Sequence, residues 1–168
     1  MAIDTLEEKF AHGLGSIYDA EHQFLEAMEE MLTQATSNTV KSLLKEHITQ
    51  TKQQIRNLEQ AFKILGQEAE QIDCEGAEGL VSEGATLMDE AADNPAMLDF
   101  AIAGAADKVE HYEIATYRGL IAEAQQMGQN EIVRLLRDNL QQEEQTAQKI
   151  EQSVPALLQQ ATSRAAGA

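Results

Sequence analysis

The sequence predicts an all-α protein, and more specifically an antiparallel four-helix bundle with one long connection. Aromatic residues make up 4% of the chain and β-branched runs are absent, whereas Ala, Glu, Gln and Leu recur throughout. Apolar residues repeat at helical spacing in four long stretches, and the links within the first and the last pair of stretches are short. Because the chain has 168 residues, we expect a single domain over 1–168.

The first two stretches predict a helical hairpin. Apolar positions from Phe10 onward predict a helix over about 5–35, and a stripe that begins at Val40 predicts a second helix over about 39–65. The link 36–39 offers several capping residues, and Gly66 stands where a helix-ending glycine belongs. So short a link makes the two helices antiparallel neighbours.

The second half of the chain predicts another hairpin after a long crossover. Residues 67–93 are rich in Gly and acids, and we expect them to form a crossover with one short amphipathic helix. Asn94 and Pro95 predict the start of a helix over about 95–127. The last helix is expected over about 129–160, with its final turns kinked or loosened by Pro155 and a frayed tail after it. Two hairpins joined by one crossover form the ferritin-like arrangement.

Composition excludes several function classes. The formal charge of −17 disfavours nucleic-acid binding and attracts cations. No secretory signal and no stretch of 18 apolar residues is present, so we expect a cytoplasmic protein that does not enter membranes. Phosphate-binding glycine loops are absent, which predicts no nucleotide cofactor. The lone Cys74 lies between two acids, which argues against a catalytic thiolate.

The informative pattern is the presence of carboxylates where the helical period expects leucine. Glu21 interrupts the stripe of the first helix, Glu110 and Glu113 that of the third, and Glu143 that of the fourth. Glu21 precedes Gln54 by 33 residues, and Glu110 precedes Glu143 by 33, so both hairpins carry their polar pairs at the same spacing. We expect these groups to meet near the middle of the bundle.

Convergent buried carboxylates favour a divalent cation, because isolated buried charges are costly. Oxygen ligands suit iron or manganese, and Glu21, Glu110, Glu113 and Glu143 are the predicted ligands, with Gln54 as a weak carbonyl ligand. One ion or two are both compatible with the pattern. The alternative is an ordinary polar core, in which the glutamates of the third helix hydrogen-bond tyrosines such as Tyr18, Tyr112 or Tyr117.

The histidines are not among the predicted metal ligands. His22 and His111 each follow a glutamate of the predicted site, and neighbours on a helix diverge by about 100°, so both should point outward or sideways. His47 lies on the stripe of the second helix, but nearly two turns from Gln54. For His47 we therefore favour a hydrogen-bonding role in the core over a ligand role.

The chain resembles the ferritin-like family of YciE- and YciF-type bacterial stress proteins. The segments that carry the resemblance are Tyr18-Asp-Ala-Glu21, His47–Thr51 with Gln54, the run from Leu58 to Gly66, Lys108–Ile114 and Glu143-Glu144, and it covers about residues 5–155. It implies a cytoplasmic, stress-associated homodimer grouped with rubrerythrin-like bundles.

This sequence departs from di-iron bundles in one respect, the Glu-x-x-His pairs that those bundles usually carry on two helices. Here Glu143 is followed three residues later by Thr146, and Glu144 by Ala147. We therefore expect an all-oxygen, weaker or single-ion site and slow iron oxidation. An enzymatic reaction with oxygen or peroxide, metal binding without turnover, and a metal-free bundle that acts as a structural or interaction protein all remain open at this point.

Overall fold

The computed structural model describes residues 3–165, and this part of the chain contains five α-helices and no strand. The helices are α1 (Leu6–Gln34), α2 (Asn38–Ile64), α3 (Glu75–Ala91), α4 (Pro95–Gln126) and α5 (Asn130–Ala165). The prediction of an all-α protein is confirmed. Over the residues described, none of the helices is long and apolar enough to cross a membrane.

The helix ends follow from local chemistry. The Thr5 side chain accepts a hydrogen bond from the Glu8 amide, and the Glu8 side chain accepts one from the Thr5 amide, which closes a capping box before α1. Asn94 caps α4, whose first residue is Pro95. Gly66 and Gly128 both adopt φ 71° just after α2 and α4, a conformation that favours glycine.

The last helix extends further than the sequence predicts. Pro155 lies inside α5, which continues to Ala165 rather than stopping near residue 160. The carbonyl that loses its hydrogen-bond donor belongs to Glu151, and this residue is exposed, so solvent can replace the missing bond. Ala166 to Ala168, which belong to the tail expected to fray, lie outside the described residues.

The four long helices pack in a bundle-like arrangement. α1 packs on α2 and α4, and α5 packs on α4 and α2, while α3 lies against α1 and α4. Most of the buried side chains fall into two apolar clusters, one containing Phe10, Phe24 and Leu136 and the other containing Met28 and Ile102. Along α5, the buried polar residues Asn139, Glu143 and Thr146 lie between Leu136 of the first cluster and Ile150 of the second.

The segment that leads from α2 to α3 is anchored to α1. The Ile72 amide donates to the Gly15 carbonyl at 3.2 Å, and the Cys74 amide donates to Asp19 Oδ2 at 2.9 Å. A Cβ on Gly15 would lie 2.8 Å from Ile72 Cγ1, so only glycine allows this close approach. The crossover therefore follows one defined path over α1.

Candidate metal centre

Four buried side chains from three helices converge between the two apolar clusters. His47 comes from α2, Glu110 and Glu113 from α4, and Glu143 from α5, and each offers a ligand atom within 4.8 Å of the others. We call these four residues the His–Glu cluster. His47 Nε2 lies 3.4 Å from Glu110 Oε1 and 3.9 Å from Glu143 Oε2. The two α4 glutamates share a face because they are three residues apart.

The other two predicted ligands border the His–Glu cluster. Glu21 is fully buried and accepts a hydrogen bond from the Tyr117 hydroxyl. Gln54 is also fully buried, and its amide nitrogen donates to Glu143 Oε1. The sequence suggested the Gln54 carbonyl as a ligand, whereas here the amide nitrogen faces the carboxylate because a carboxylate oxygen accepts hydrogen bonds.

His47 lies closer to the carboxylates than the sequence suggested. Its separation from Gln54 along α2 argued for a purely hydrogen-bonding role. Glu143, however, comes from the facing helix α5 and contacts both residues, with Oε1 on Gln54 and Oε2 near His47. The position of His47 on the apolar stripe was the signal that pointed to this placement.

Hydrogen bonds fix which imidazole nitrogen is free. The Thr146 hydroxyl donates its proton to Gln50 Oε1 at 3.0 Å, and it lies 3.2 Å from His47 Nδ1. A hydroxyl has only one proton, so towards His47 it acts as an acceptor, and Nδ1 carries the imidazole hydrogen. The lone pair of neutral His47 is therefore on Nε2, the nitrogen that faces Glu110 and Glu143.

Burial controls the ionisation of the cluster. It raises the pKa values of Glu21, Glu110 and Glu113 well above the usual carboxyl range, and the negative charge of Glu143 raises them further. Burial also lowers the pKa of His47, an effect that outweighs the attraction of Glu143 for the imidazolium. Without a bound cation, the folded protein therefore favours protonated carboxyls and a neutral imidazole.

Several buried polar atoms at this site have no hydrogen-bond partner among the described residues. They are Glu21 Oε2, His47 Nε2, Thr51 Oγ1, Gln54 Oε1, Glu110 Oε2, Glu113 Oε2 and Glu143 Oε2. Buried polar groups are normally paired, because an unmade hydrogen bond costs about 1–3 kcal/mol. So many unpaired acceptors at one place indicate a site that is completed by a cation or by protons.

Among the described residues, the three basic side chains nearest the site in sequence do not supply the missing positive charge. Lys108 pairs with Glu83 at 2.8 Å and Arg118 pairs with Glu144 at 2.7 Å, all with exposed side chains. Lys149 similarly pairs with Glu46 at the surface. These three side chains therefore lie at the surface and not at the His–Glu cluster.

A hydrogen-bond chain that sequence reasoning missed supports Glu21. Tyr117 donates to Glu21 and accepts from Asn139 Nδ2 at 3.0 Å, and Asn139 Oδ1 accepts from Asn57 Nδ2 at 2.7 Å. The position of Asn139, four residues before Glu143 on the buried face of α5, could have revealed it. The alternative of tyrosine bonds to Glu110 or Glu113 is not found among the described residues: Tyr18 bonds Glu59, Tyr112 contacts Cys74 and Tyr117 bonds Glu21.

The fold and the site together define a class of protein, a helical bundle with a buried histidine–carboxylate cluster. The profile of the DUF892 family, described as a domain of unknown function, matches residues 5–163, and the chain belongs to this family. Protein YciF of Escherichia coli (strain K12) is 30% identical over 151 residues, which cover 89% of this chain and 90% of YciF.

Solved structures of relatives show the same fold. The crystal structure of the E. coli stress protein YciF matches with a TM-score of 0.88 at 28% identity, covering 94% of this chain and 99% of that chain. YcfI from Rhodopseudomonas palustris, whose description proposes a structural role, matches with a TM-score of 0.86 at 40% identity, covering 89% of this chain and 94% of YcfI. The resemblance to YciF-type proteins is thus confirmed.

Proposed function

We propose that this chain is a ferritin-like four-helix-bundle protein whose His–Glu cluster binds a divalent metal ion, iron or manganese. The observation that carries the proposal is the convergence of four buried ligand groups within 4.8 Å, each with a buried lone pair that has no hydrogen-bond partner. A divalent cation would pair these atoms and neutralise the repulsion among the glutamates.

The donor set fits these metals. One imidazole and three carboxylates form a mixed nitrogen–oxygen donor set, which suits iron and manganese. This set differs from the thiolate-rich sites that zinc often occupies. When bound, such an ion supplies redox chemistry towards oxygen or peroxide. Glu21 lies next to the cluster and would serve either as a further ligand or as a ligand to a second ion.

The protein's own residues prepare the site for a cation. Thr146 holds the hydrogen of His47 on Nδ1, so that the Nε2 lone pair is available for a metal. Tyr117 and Asn139 orient Glu21, and Gln54 orients Glu143. The cluster residues are at most 3% exposed, which excludes bulk water from the ligands.

The setting of this function is proposed from the relatives. Since YciF is described as a stress protein, we propose a stress-associated role in the cytoplasm for this chain. We also propose a homodimer. A second candidate is a metal-free bundle with a structural role, as the description of YcfI suggests for that protein.

Metal analysis separates the two candidates. Protein purified without chelator is analysed for its elements, and metal-free protein is titrated anaerobically with Fe²⁺ or Mn²⁺ in a calorimeter. We expect saturable binding that Glu113→Gln weakens and that the surface variant Glu26→Gln leaves unchanged, because Glu26 is exposed on α1. Protein that contains no metal and releases no binding heat would contradict the metal proposal and favour the structural role.

A further inference from the structure

An apolar cavity borders the His–Glu cluster and has no part in the proposed metal binding. It lies among α1, α2, α4 and α5. The centre of a water-sized sphere can occupy a volume of about 20 Å³ inside it. Eight of its 11 lining residues are apolar, and carbon atoms form almost all of its wall. Two of the remaining three are His47 and Glu110, so the cavity ends against the cluster itself.

The lining excludes water and ions as stable occupants. A buried water needs about two to four polar partners. The Thr146 hydroxyl is already engaged by Gln50 and His47. His47 Nε2 and Glu110 Oε2 have no partner, but almost all of the cavity wall is carbon, so these atoms present little polar surface to the cavity and the wall does not supply that number. An ion would exchange its hydration shell for carbon atoms at a large cost. An occupant that suits this wall is therefore uncharged and apolar, and the volume limits it to a few heavy atoms.

The cavity approaches the surface at one side. Leu43 on α2 and Ala106 on α4 are half-buried, whereas Met28 and Ala103, which also line it, are buried. A small molecule could therefore enter between α2 and α4 and reach His47 and Glu110 without crossing the polar part of the site.

We propose that this cavity binds one small, uncharged, apolar molecule of two or three heavy atoms, such as dioxygen, directly beside His47 and Glu110. Its use as a supply route to a bound ion rests on the proposed function, whereas its occupancy does not. The occupancy can therefore be tested on metal-free protein, independently of any metal titration.

The experiment follows methyl resonances of the full, metal-free chain under xenon pressure and then under dissolved dioxygen. We expect saturable shifts with xenon, and enhanced relaxation with paramagnetic dioxygen, at the methyl groups of Leu44 and Ile150, which line the cavity. Ala103→Leu should abolish both effects by filling the space. Gly104→Ala is the matched control on α4, because an added Cβ there meets nothing within 4 Å.

A second variant protects the test against a folding failure of Ala103→Leu. Leu43→Ala removes bulk at the half-buried mouth, and it should keep the xenon response and shift it to lower pressure. Leu80 and Val81 of α3 line a neighbouring small cavity that shares Met28, Ala106 and Glu110 with this one. Neither Leu43 nor Ala103 lines that cavity, so the methyl groups of Leu80 and Val81 should respond alike in all variants. The proposal would be overturned if the methyl signals of Leu44 and Ile150 changed with neither gas. It would also be overturned if Ala103→Leu and Leu43→Ala left the response of these signals to xenon unchanged.

Discussion

Replacing Glu113 by Gln should make the metal-free protein more stable at pH 8. Folding raises the pKa values of Glu21, Glu110 and Glu113, so the folded chain retains protons that the unfolded chain releases above about pH 4–5. The stability associated with these protons is complete below the ordinary carboxyl pKa. It is lost as the pH rises towards and through the raised pKa values.

The magnitude follows from the proton count. Each proton held by the folded protein alone lowers the free energy of unfolding by about 1.4 kcal/mol per pH unit, or about 2.7 kcal/mol between pH 6 and pH 8. For a chain of this length, 1 kcal/mol corresponds to about 2–4 °C in melting temperature. One such carboxyl therefore lowers the melting temperature by up to about 5–11 °C over this interval. Glu113→Gln removes one of these carboxyls, so its melting temperature should fall less between pH 6 and pH 8 than that of the wild type.

The assay is a set of calorimetric melting curves at pH 6 and pH 8, with chelator and with Mn²⁺. A bound ion should stabilise the wild type by about 2.7 kcal/mol at 100 times its dissociation constant. This rise should disappear in the double variant Glu113→Gln/Glu143→Gln, while the exposed-site variant Glu26→Gln behaves as the wild type. The metal proposal is refuted if both cluster variants melt below the wild type at each pH and Mn²⁺ changes the melting temperature of none of the proteins. Glu113 and Glu143 would then be structural hydrogen-bond partners.

Three further predictions concern assembly, redox behaviour and support of the site. Light scattering should give about twice the chain mass of 18.5 kDa. Met97→Glu should shift the protein to monomer, since Met97 is 40% exposed and lines the same surface groove as Leu87. A monomer at every concentration would contradict the dimer. Fe²⁺ added in air should be oxidised at nearly its rate in free solution, because no Glu-x-x-His pair is present; fast stoichiometric oxidation would show a more competent site. Tyr117→Phe should lower stability by about 1–3 kcal/mol, because it leaves a buried Glu21 oxygen unpaired. The exposed hydrogen bond of Tyr18 makes Tyr18→Phe its control, and equal melting temperatures of the two variants would contradict this role.

Local signals made the helix ends predictable. Thr5, Asn94 and Gly128 act on the backbone within a few residues, and the structure ends or begins helices beside each of them. The usual effect of proline on a helix predicts a kink or loosening at Pro155, but Glu151, whose carbonyl loses its donor, is an exposed residue. The sequence contains no direct measure of that exposure.

The glutamates of the site were predictable because helical periodicity identifies polar residues on an apolar face. The partners of those glutamates depend on how neighbouring helices are offset and rotated, which periodicity does not define. Glu143 therefore reaches His47 as well as Gln54, and Glu21 takes Tyr117 as its partner. Hydrogen-bond direction likewise depends on tertiary contacts, as the amide of Gln54 illustrates.

The burial of the carboxylates at the candidate metal centre also determines how fast the site can exchange an ion. Glu21, Gln54 and Glu143 are fully buried, so a hydrated ion can reach them only when the packed helices separate locally. Uptake and release should then follow the rate of this opening rather than diffusion, and each should accelerate on warming or with mild denaturant. An ion acquired during folding would be retained long after its free concentration falls, which makes the history of the sample as important as its affinity.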